Sequence, residues 1–206
     1  MTRVTVIDYR AGNLTSVVKA LRHLGAEVNV TENPADVASA ERIVLPGVGH
    51  FAATRRLDET GITPAVRDAI ARKIPFLGIC VGLQWLFAGS TEDPGTPGLT
   101  AFPEMCDRFA PGRKVPHVGW NSLSTSPASR LLAGIPDGAF AYFTHSYRAP
   151  VTNVTASITE YAEPFASAVE RGNVMGVQFH PEKSGDTGLR VLHNFLNFSG
   201  PERQPC

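Results

Sequence analysis

The sequence predicts an α/β fold in which a mostly parallel central sheet is flanked by helices, with antiparallel strands added in the second half. Short apolar runs alternate with amphipathic stretches through the first 80 residues, the pattern of strand, helix, strand. From about residue 115 onward the apolar segments are short, strand-like and separated by turn residues, which favours hairpins. The chain has 206 residues, of which 43% are hydrophobic, enough for one substantial core, so a single domain over residues 1–206 is expected.

Residues 4–7 read as a buried strand. A helix follows in which Leu14, Val17, Val18, Leu21 and Leu24 share a face, closed by Gly25. Residues 28–30 and 43–45 are the next two strands, the second ending at Pro46-Gly47-Val48-Gly49. A helical region carries Leu57 before Gly61, and Val66, Ala69 and Ile70 after Pro64, leading to a strand over residues 75–79. Residues 89–98 are rich in Gly, Pro, Thr and acids, and are expected to form a surface loop rather than core. Strand-like segments then lie around Val115 and over residues 140–143, 154–158, 165–169 and 174–179. Leu189, Leu192, Phe195 and Leu196 signal a last helix, with Gly188 a mild weakness in its first turn, and residues 201–206 read as a frayed tail.

Lysine plus arginine and aspartate plus glutamate both number 19, so the balance gives no footprint for nucleic acid or a membrane surface. The start of the chain is neither a signal peptide nor a membrane span. Cys80, Cys106 and Cys206 lack metal-ligand spacing and are too few for a disulfide scaffold, which points to a reducing cytoplasm. No metal or organic cofactor is implied, because the histidines form no compact ligand set.

The chemistry centres on Cys80 in Gly78-Ile79-Cys80-Val81-Gly82-Leu83-Gln84. An apolar strand ends at a thiol with glycine two before and two after it, as at a sharp strand-to-helix turn that presents a nucleophile. A second apolar strand ends in His180-Pro181-Glu182-Lys183-Ser184. Strand ends of a mostly parallel sheet are where such folds place ligands, so both motifs are expected at one edge. If the backbone stays extended through Pro181, His180 and Glu182 point to one side, and Glu182 orients the imidazole that takes the thiol proton. Amide groups of Val81 and of Val48 and Gly49 are candidate oxyanion donors. Gln84, one helical turn after Cys80, is placed to bind a polar substrate. Taken singly, each motif has a bland reading. A cysteine in such a run is more often a small buried hydrophobe, His180 and Glu182 an ordinary ion pair, and the Gly47-Val48-Gly49 turn a loop. Their joint occurrence at strand ends favours the catalytic reading.

With these motifs the chain resembles the class I, triad-type glutamine amidotransferases, and within them the glutaminases of imidazole glycerol phosphate synthases. The nucleophile and His180-Pro181-Glu182 motifs carry the family. The narrower likeness rests on Asp8-Tyr9 with Gly12-Asn13, on Pro46-Gly47-Val48-Gly49 and on Val115-Pro116-His117-Val118-Gly119-Trp120-Asn121. Tyr142-Phe143-Thr144-His145-Ser146-Tyr147 and Lys183-Ser184 complete it. The resemblance implies a flavodoxin-like sheet and hydrolysis of glutamine to glutamate and ammonia. Cys80 would be nucleophile, His180 base and then acid, and Glu182 its orienter, with Gln84, Gly47, His145 and Ser146 around the substrate. It also implies a heterodimer with a (β/α)8-barrel cyclase that receives the ammonia and forms imidazole glycerol phosphate and aminoimidazole carboxamide ribonucleotide. Asn13, Pro116, Trp120 and Lys183 would face that partner.

The residues alone favour core packing for Trp120; the resemblance favours an interface, with Lys183 over its ring. His145 reads as a packed, hydrogen-bonded histidine rather than a second base. Arg10 departs from the family's usual glycine and is expected to alter the turn there. Trp85 needs extra volume or an exposed edge. The competing readings are amidotransferases that feed anthranilate or pyridoxal phosphate synthesis, and a non-enzymatic partner-binding domain that kept the fold.

Overall fold

The computed structural model describes residues 1–11 and 14–199. Asn13 and the tail over residues 201–206 therefore lie outside the described residues. Five strands build the parallel half of the main sheet: β1 (Arg3–Ile7), β2 (Glu27–Thr31), β3 (Ile43–Gly47), β4 (Phe76–Cys80) and, from the far end of the chain, β13 (Val174–Val177). Its order is β2-β1-β3-β4-β13, and every neighbouring pair is parallel. The strands β1, β3, β4 and β13 are buried on both faces almost throughout, which explains their unbroken apolar runs.

Helices α1 (Leu14–His23), α2 (Pro34–Ala38), α3 (Arg55–Glu59), α4 (Ile62–Ala71), α5 (Val81–Trp85) and α6 (Gly185–Leu196) pack around this sheet. Helix α1 buries Val17, Val18 and Leu21, as its 3.6-residue spacing requires. The sequence reading missed α2. Its signals were present in Asn33, whose side chain accepts from the Ala35 amide, and in Pro34 at the first helical position. In α6 the buried face holds Val191, Leu192, Phe195 and Leu196 rather than Leu189.

The second half completes the sheet with antiparallel strands. β12 (Glu163–Arg171) pairs with β13, β11 (Thr155–Tyr161) with β12, and β8 (Ser124–Thr125) with β11. Two smaller assemblies were only partly legible. β7 (His117–Ser122) and β9 (Phe140–His145) form an antiparallel ribbon, while β5 (Gly89–Ser90), β6 (Met105–Arg108) and β10 (Tyr147–Arg148) form a small sheet.

Residues 89–98 are not a simple surface loop. Ser90 and Thr96 are fully buried, and a Cβ on Gly98 would collide with the Phe87 carbonyl oxygen. Polar composition misled here because the buried groups are hydrogen-bonded: the Thr96 and Gly98 amides reach the Asp93 and Ala88 carbonyls. Trp85 finds its volume in the core, 1% exposed and tilted against Phe76 with ring centroids 6.2 Å apart. Arg10 adopts a left-handed backbone, at φ 64°. Its amide donates to Asp8 Oδ1 at 2.7 Å and its guanidinium pairs with Glu32 at 3.1 Å, local contacts that hold a conformation costly for a non-glycine residue.

Candidate active site

Register brings the site together. Strand β4 lies between β3 and β13, with Gly47 opposite Cys80 on one side and Val177 opposite Ile79 on the other. The residue after Val177, Gln178, therefore falls beside Cys80, and His180 lies just beyond the strand end. Cys80 itself sits at φ 54°, ψ −107°, a conformation that a non-glycine residue adopts only when its surroundings force it. The surroundings are the flanking glycines. A Cβ on Gly78 would strike the Gly82 carbonyl, and one on Gly82 would strike the Leu45 carbonyl of β3. Helix α5 starts at Val81, leaving its first amides without intrahelical partners next to the sulfur.

His180 and Glu182 meet, though not by the expected route. Residues Pro181–Lys183 form a single 3-10 turn rather than extended backbone, and that turn brings Nδ1 to 2.9 Å from Glu182 Oε1. Both side chains are buried, at 1% and 3% exposure. Burial alone would push the imidazole down; the Cys80 sulfur and the Glu182 carboxylate outweigh it and hold His180 up at about 9. His180 Nε2 interacts electrostatically with Cys80 but has no aligned hydrogen-bond partner, and the thiol lies 4.0 Å from the Thr144 carbonyl. The ring and the sulfur are neighbours, and their contact falls short of an aligned hydrogen bond.

The turn is tied to the ribbon. Ser184 Oγ accepts from the Tyr142 amide at 2.9 Å and donates to the His180 carbonyl at 2.7 Å, while the His180 amide reaches the Tyr142 carbonyl at 2.9 Å. Gly188 belongs to the same construction. A Cβ there would collide with the Pro181 carbonyl, so this glycine lets α6 pack against the His180 turn and is no weakness of the helix.

A cavity of about 260 Å³ opens over the thiol, lined by Val48, Gly49, Cys80, Val81, Gln84, Glu92, Pro116, Thr144, His145, Ser146 and Tyr147. It thus gathers the expected oxyanion residues and three of the four expected substrate residues. Gly47 is the exception: it pairs with Cys80 across the sheet, where a side chain would run into Tyr9 Oη and Val81. Pro116, expected at an interface, also lines the cavity. The sequence reading missed Glu92, whose carboxylate accepts from the Phe51 amide at 2.8 Å and faces this space. It also missed Tyr9, whose buried hydroxyl lacks a partner; burial, then the charge of Cys80, push its pKa up. Glu92 sits in the acidic stretch read as a loop, and only the folded chain, which sets it on the Phe51 amide at the cavity wall, gives it a role.

Gln84 uses both amide hydrogens, donating to the Tyr147 carbonyl at 3.0 Å and to Gln178 Oε1 at 3.2 Å. Its Oε1 is left buried without a donor, in a side chain that lines the cavity. Beyond Gln84, His145 and His117 form a buried pair with rings 3.1 Å apart between Nε2 and Nδ1. Burial pushes His117 down to about 4 and His145 to about 3; for His145 the Tyr147 carbonyl opposes the shift, while His117 and His180 add to it.

Both histidines are neutral in the fold, whereas the unfolded chain protonates them below about pH 6.5. Stability therefore falls as the pH drops through that window. At pH 5, His145 alone accounts for a loss of about 2 kcal/mol at most, which lowers the melting midpoint by about 4–8 °C. Thermal unfolding of the native chain at pH 6.5 and pH 5 checks this, and His117→Phe should show a shallower dependence. An unchanged slope in that variant would mean the pair is not buried neutral.

Outside the cavity, β7 and β9 present an apolar face. Trp120 is 56% exposed, with Val118 and Phe140 at 57% and 58%. Core packing is thus excluded for Trp120. Lys183 lies over the Tyr142 ring at 6.0 Å rather than over Trp120, and Tyr142 meets Trp120 edge-on at 6.1 Å. No helix among the described residues is long and apolar enough to cross a membrane.

Comparison with known proteins shows the family. Residues 5–198 match the family described as Glutamine amidotransferase class-I. The chain is 48% identical over 203 residues to the imidazole glycerol phosphate synthase subunit HisH of Deinococcus radiodurans, covering 96% of this chain and 94% of that protein. It is 44% identical to the chloroplastic imidazole glycerol phosphate synthase hisHF of Arabidopsis thaliana, covering 98% of this chain and 35% of that longer protein. Among solved structures, a glutamine amidotransferase crystal structure superposes with TM-score 0.75 at 20% identity, over 95% of this chain and 99% of the other, a likeness of fold.

Proposed function

This chain belongs to the class-I glutamine amidotransferase family, and we propose that it works as the ammonia-producing half of an imidazole glycerol phosphate synthase. It is a glutaminase of histidine biosynthesis, hydrolysing glutamine to glutamate and ammonia. One observation carries the chemistry: Cys80 stands on a strained strand-to-helix turn beside a buried imidazole that a buried carboxylate holds at 2.9 Å.

In the proposed mechanism, His180 takes the thiol proton and Cys80 Sγ attacks the side-chain carbonyl of glutamine. Val81, Val48 and Gly49 line the cavity beside the sulfur, and their backbone amides are the proposed donors to the negative oxygen that develops there. Collapse of the tetrahedral adduct expels ammonia, with His180 returning the proton to the leaving nitrogen. Water then attacks the acyl-cysteine, again with His180 as base, and glutamate leaves. Glu182 holds the imidazole and stabilises its cationic form throughout. The substrate's α-ammonium suits the Glu92 carboxylate and the unpartnered Gln84 Oε1, while His145 and Ser146 complete the cavity wall.

The proposed partner is a (β/α)8-barrel cyclase, bound as a heterodimer in the cytoplasm. The exposed face of Val118, Trp120 and Phe140 supports this reading, since an apolar patch of this kind marks a surface that is covered in use. It lies beside Pro116, at the cavity mouth, so ammonia leaving the thiol would pass into the partner rather than into water, where it would protonate and lose its nucleophilic lone pair. The unaligned His180 and Cys80 pair accounts for restraint in the free chain: docking draws the two together.

A glutaminase assay with and without the purified cyclase and its nucleotide substrate tests this. Addition of the pair should raise glutamine hydrolysis at least about tenfold, a barrier change of roughly 1.4 kcal/mol. A rise only with an anthranilate or pyridoxal phosphate synthase partner would overturn the partner assignment.

A further inference from the structure

Behind the cavity runs a continuous buried hydrogen-bond chain that the acyl-transfer steps do not use. It starts on the exposed ribbon, where Asn121 Nδ2 lies 3.4 Å from His117 Nε2. His117 Nδ1 lies 3.1 Å from His145 Nε2, and His145 Nδ1 is 2.9 Å from the Tyr147 carbonyl. That carbonyl also accepts from Gln84 Nε2 at 3.0 Å; Gln84 Nε2 donates to Gln178 Oε1 at 3.2 Å; and Gln178 Nε2 ends the chain 3.6 Å from Cys80 Sγ. His117, His145, Gln84 and Gln178 are all at least nine-tenths buried.

The direction of every proton in this chain follows from its ends. A carbonyl only accepts, so His145 Nδ1 must carry hydrogen, and its Nε2, in the neutral ring, must accept. His117 Nδ1 is then the donor and His117 Nε2 the acceptor, served by Asn121. The Asn121 amide is itself pinned, because Nδ2 donates to the Glu160 carbonyl at 3.0 Å and Oδ1 accepts from the Ser122 amide at 2.8 Å. On the other side, a reversed Gln84 amide would set its oxygen against the Tyr147 carbonyl. Gln84 therefore donates to Gln178 Oε1, which leaves Gln178 only its NH2 group to face the sulfur. Stacking of His117 between Phe143 and Tyr161, with ring centroids at 4.9 and 4.0 Å, keeps the chain dry and fixed.

We propose that Gln178 is a further catalytic residue, an N–H donor that steadies the Cys80 thiolate, and that His117 and His145 are positioning residues that orient it from the ribbon. This rests on the reading of Cys80 as the nucleophile. It adds a second support for the thiolate, beside that of His180. It also gives the ribbon face a physical route to the sulfur, through groups that have one allowed arrangement rather than many.

The test reads the thiol directly, by the rate at which iodoacetamide alkylates Cys80 in the otherwise native chain, followed on the Cys80 peptide by mass spectrometry. Burial, with Asp107 adding and Arg148 opposing, pushes the Cys106 thiol up and keeps it silent. At pH 7, Gln178→Leu should slow alkylation about tenfold, because the thiolate loses a hydrogen-bond donor. Gln178→Glu, which keeps the shape but sets an acceptor against the sulfur, should slow it at least as much. His117→Phe keeps the ring stack and removes both nitrogens; it should slow alkylation about threefold, and add nothing once Gln178 is leucine. Restoring an amide with Gln178→Asn should recover part of the loss. Unchanged alkylation in both Gln178→Leu and Gln178→Glu, each folded by circular dichroism, overturns the donor role. Losses that multiply in the double variant overturn the chain as a unit. Iodoacetamide needs no glutamine, so a native chain without glutamine turnover would count against the glutaminase reading and not be mistaken for either result.

Discussion

Cys80→Ala should lower glutamine hydrolysis by at least about 10⁴-fold, the scale on which removal of a nucleophile acts when its partners work as a unit. Synthesis from supplied ammonia by the assembled enzyme should stay near its starting rate. The two outcomes separate because the sulfur is proposed to act in acyl transfer alone, while the proposed ribbon surface lies on other strands. Alanine also fits the site sterically. It keeps the Cβ and removes only Sγ, which neighbours the His180 ring, the Thr144 carbonyl at 4.0 Å and the Gln178 amide at 3.6 Å. Parallel assays with glutamine and with an ammonium salt decide the matter. Loss of both activities would mean that Cys80 supports assembly, and retention of both would remove it from the chemistry.

The second large effect is on folding. Helix propensity taken alone says that Gly188→Ala, inside α6, should stabilise the chain by about 1 kcal/mol. The packing reverses the sign. The new methyl has no space against the Pro181 carbonyl, a backbone atom that cannot swing aside as a flexible side chain would. Overpacking of this kind costs about 1–3 kcal/mol, and the lost backbone approach puts this site at the upper end. The melting midpoint should fall by about 5–10 °C at neutral pH. Glutamine hydrolysis should drop further than the folded fraction accounts for, because the atoms that must move belong to the turn that joins His180 to Glu182. A rise in melting midpoint would show that α6 does not rest on that turn.

These two cases mark what was legible in the chain and what was not. The strands β1, β3, β4 and β13 could be read because strands buried on both faces are continuously apolar, and α1 because its buried positions repeat with the helical period. The glycines at 78 and 82 could be read as well, since a sharp turn demands them on local grounds. Gly188 could not. Its reason is a carbonyl seven residues away that reaches it only after α6 has folded back. Glu92 and Tyr9 share that limitation: one lay in a stretch that read as loop and the other carried no chemical signal of its own, until the fold brought both near the same thiol. The reverse error occurred at His180, where an extended backbone was expected and a 3-10 turn makes the same contact. Two residues' separation allows either geometry, and Pro181 at the start of the turn decided it.

The order of residues by itself determined the class of fold, the nucleophile's turn and the identity of the three groups proposed for acyl transfer. Those features depend on short-range chemistry: apolar period, glycine next to a bend, a histidine and a carboxylate two positions apart. The tertiary structure decided which strands are neighbours, and with that nearly everything around the sulfur. Parallel pairing of β4 with β13 sets Gln178 beside Cys80 across about a hundred residues, and pairing with β3 sets Gly47 on the other side. It also decided that Gln84 keeps an unpartnered acceptor, that two histidines stay neutral, and that Trp120 faces outward. Each of these depends on which groups are left without water and which partner remains within reach, and a linear pattern carries neither quantity.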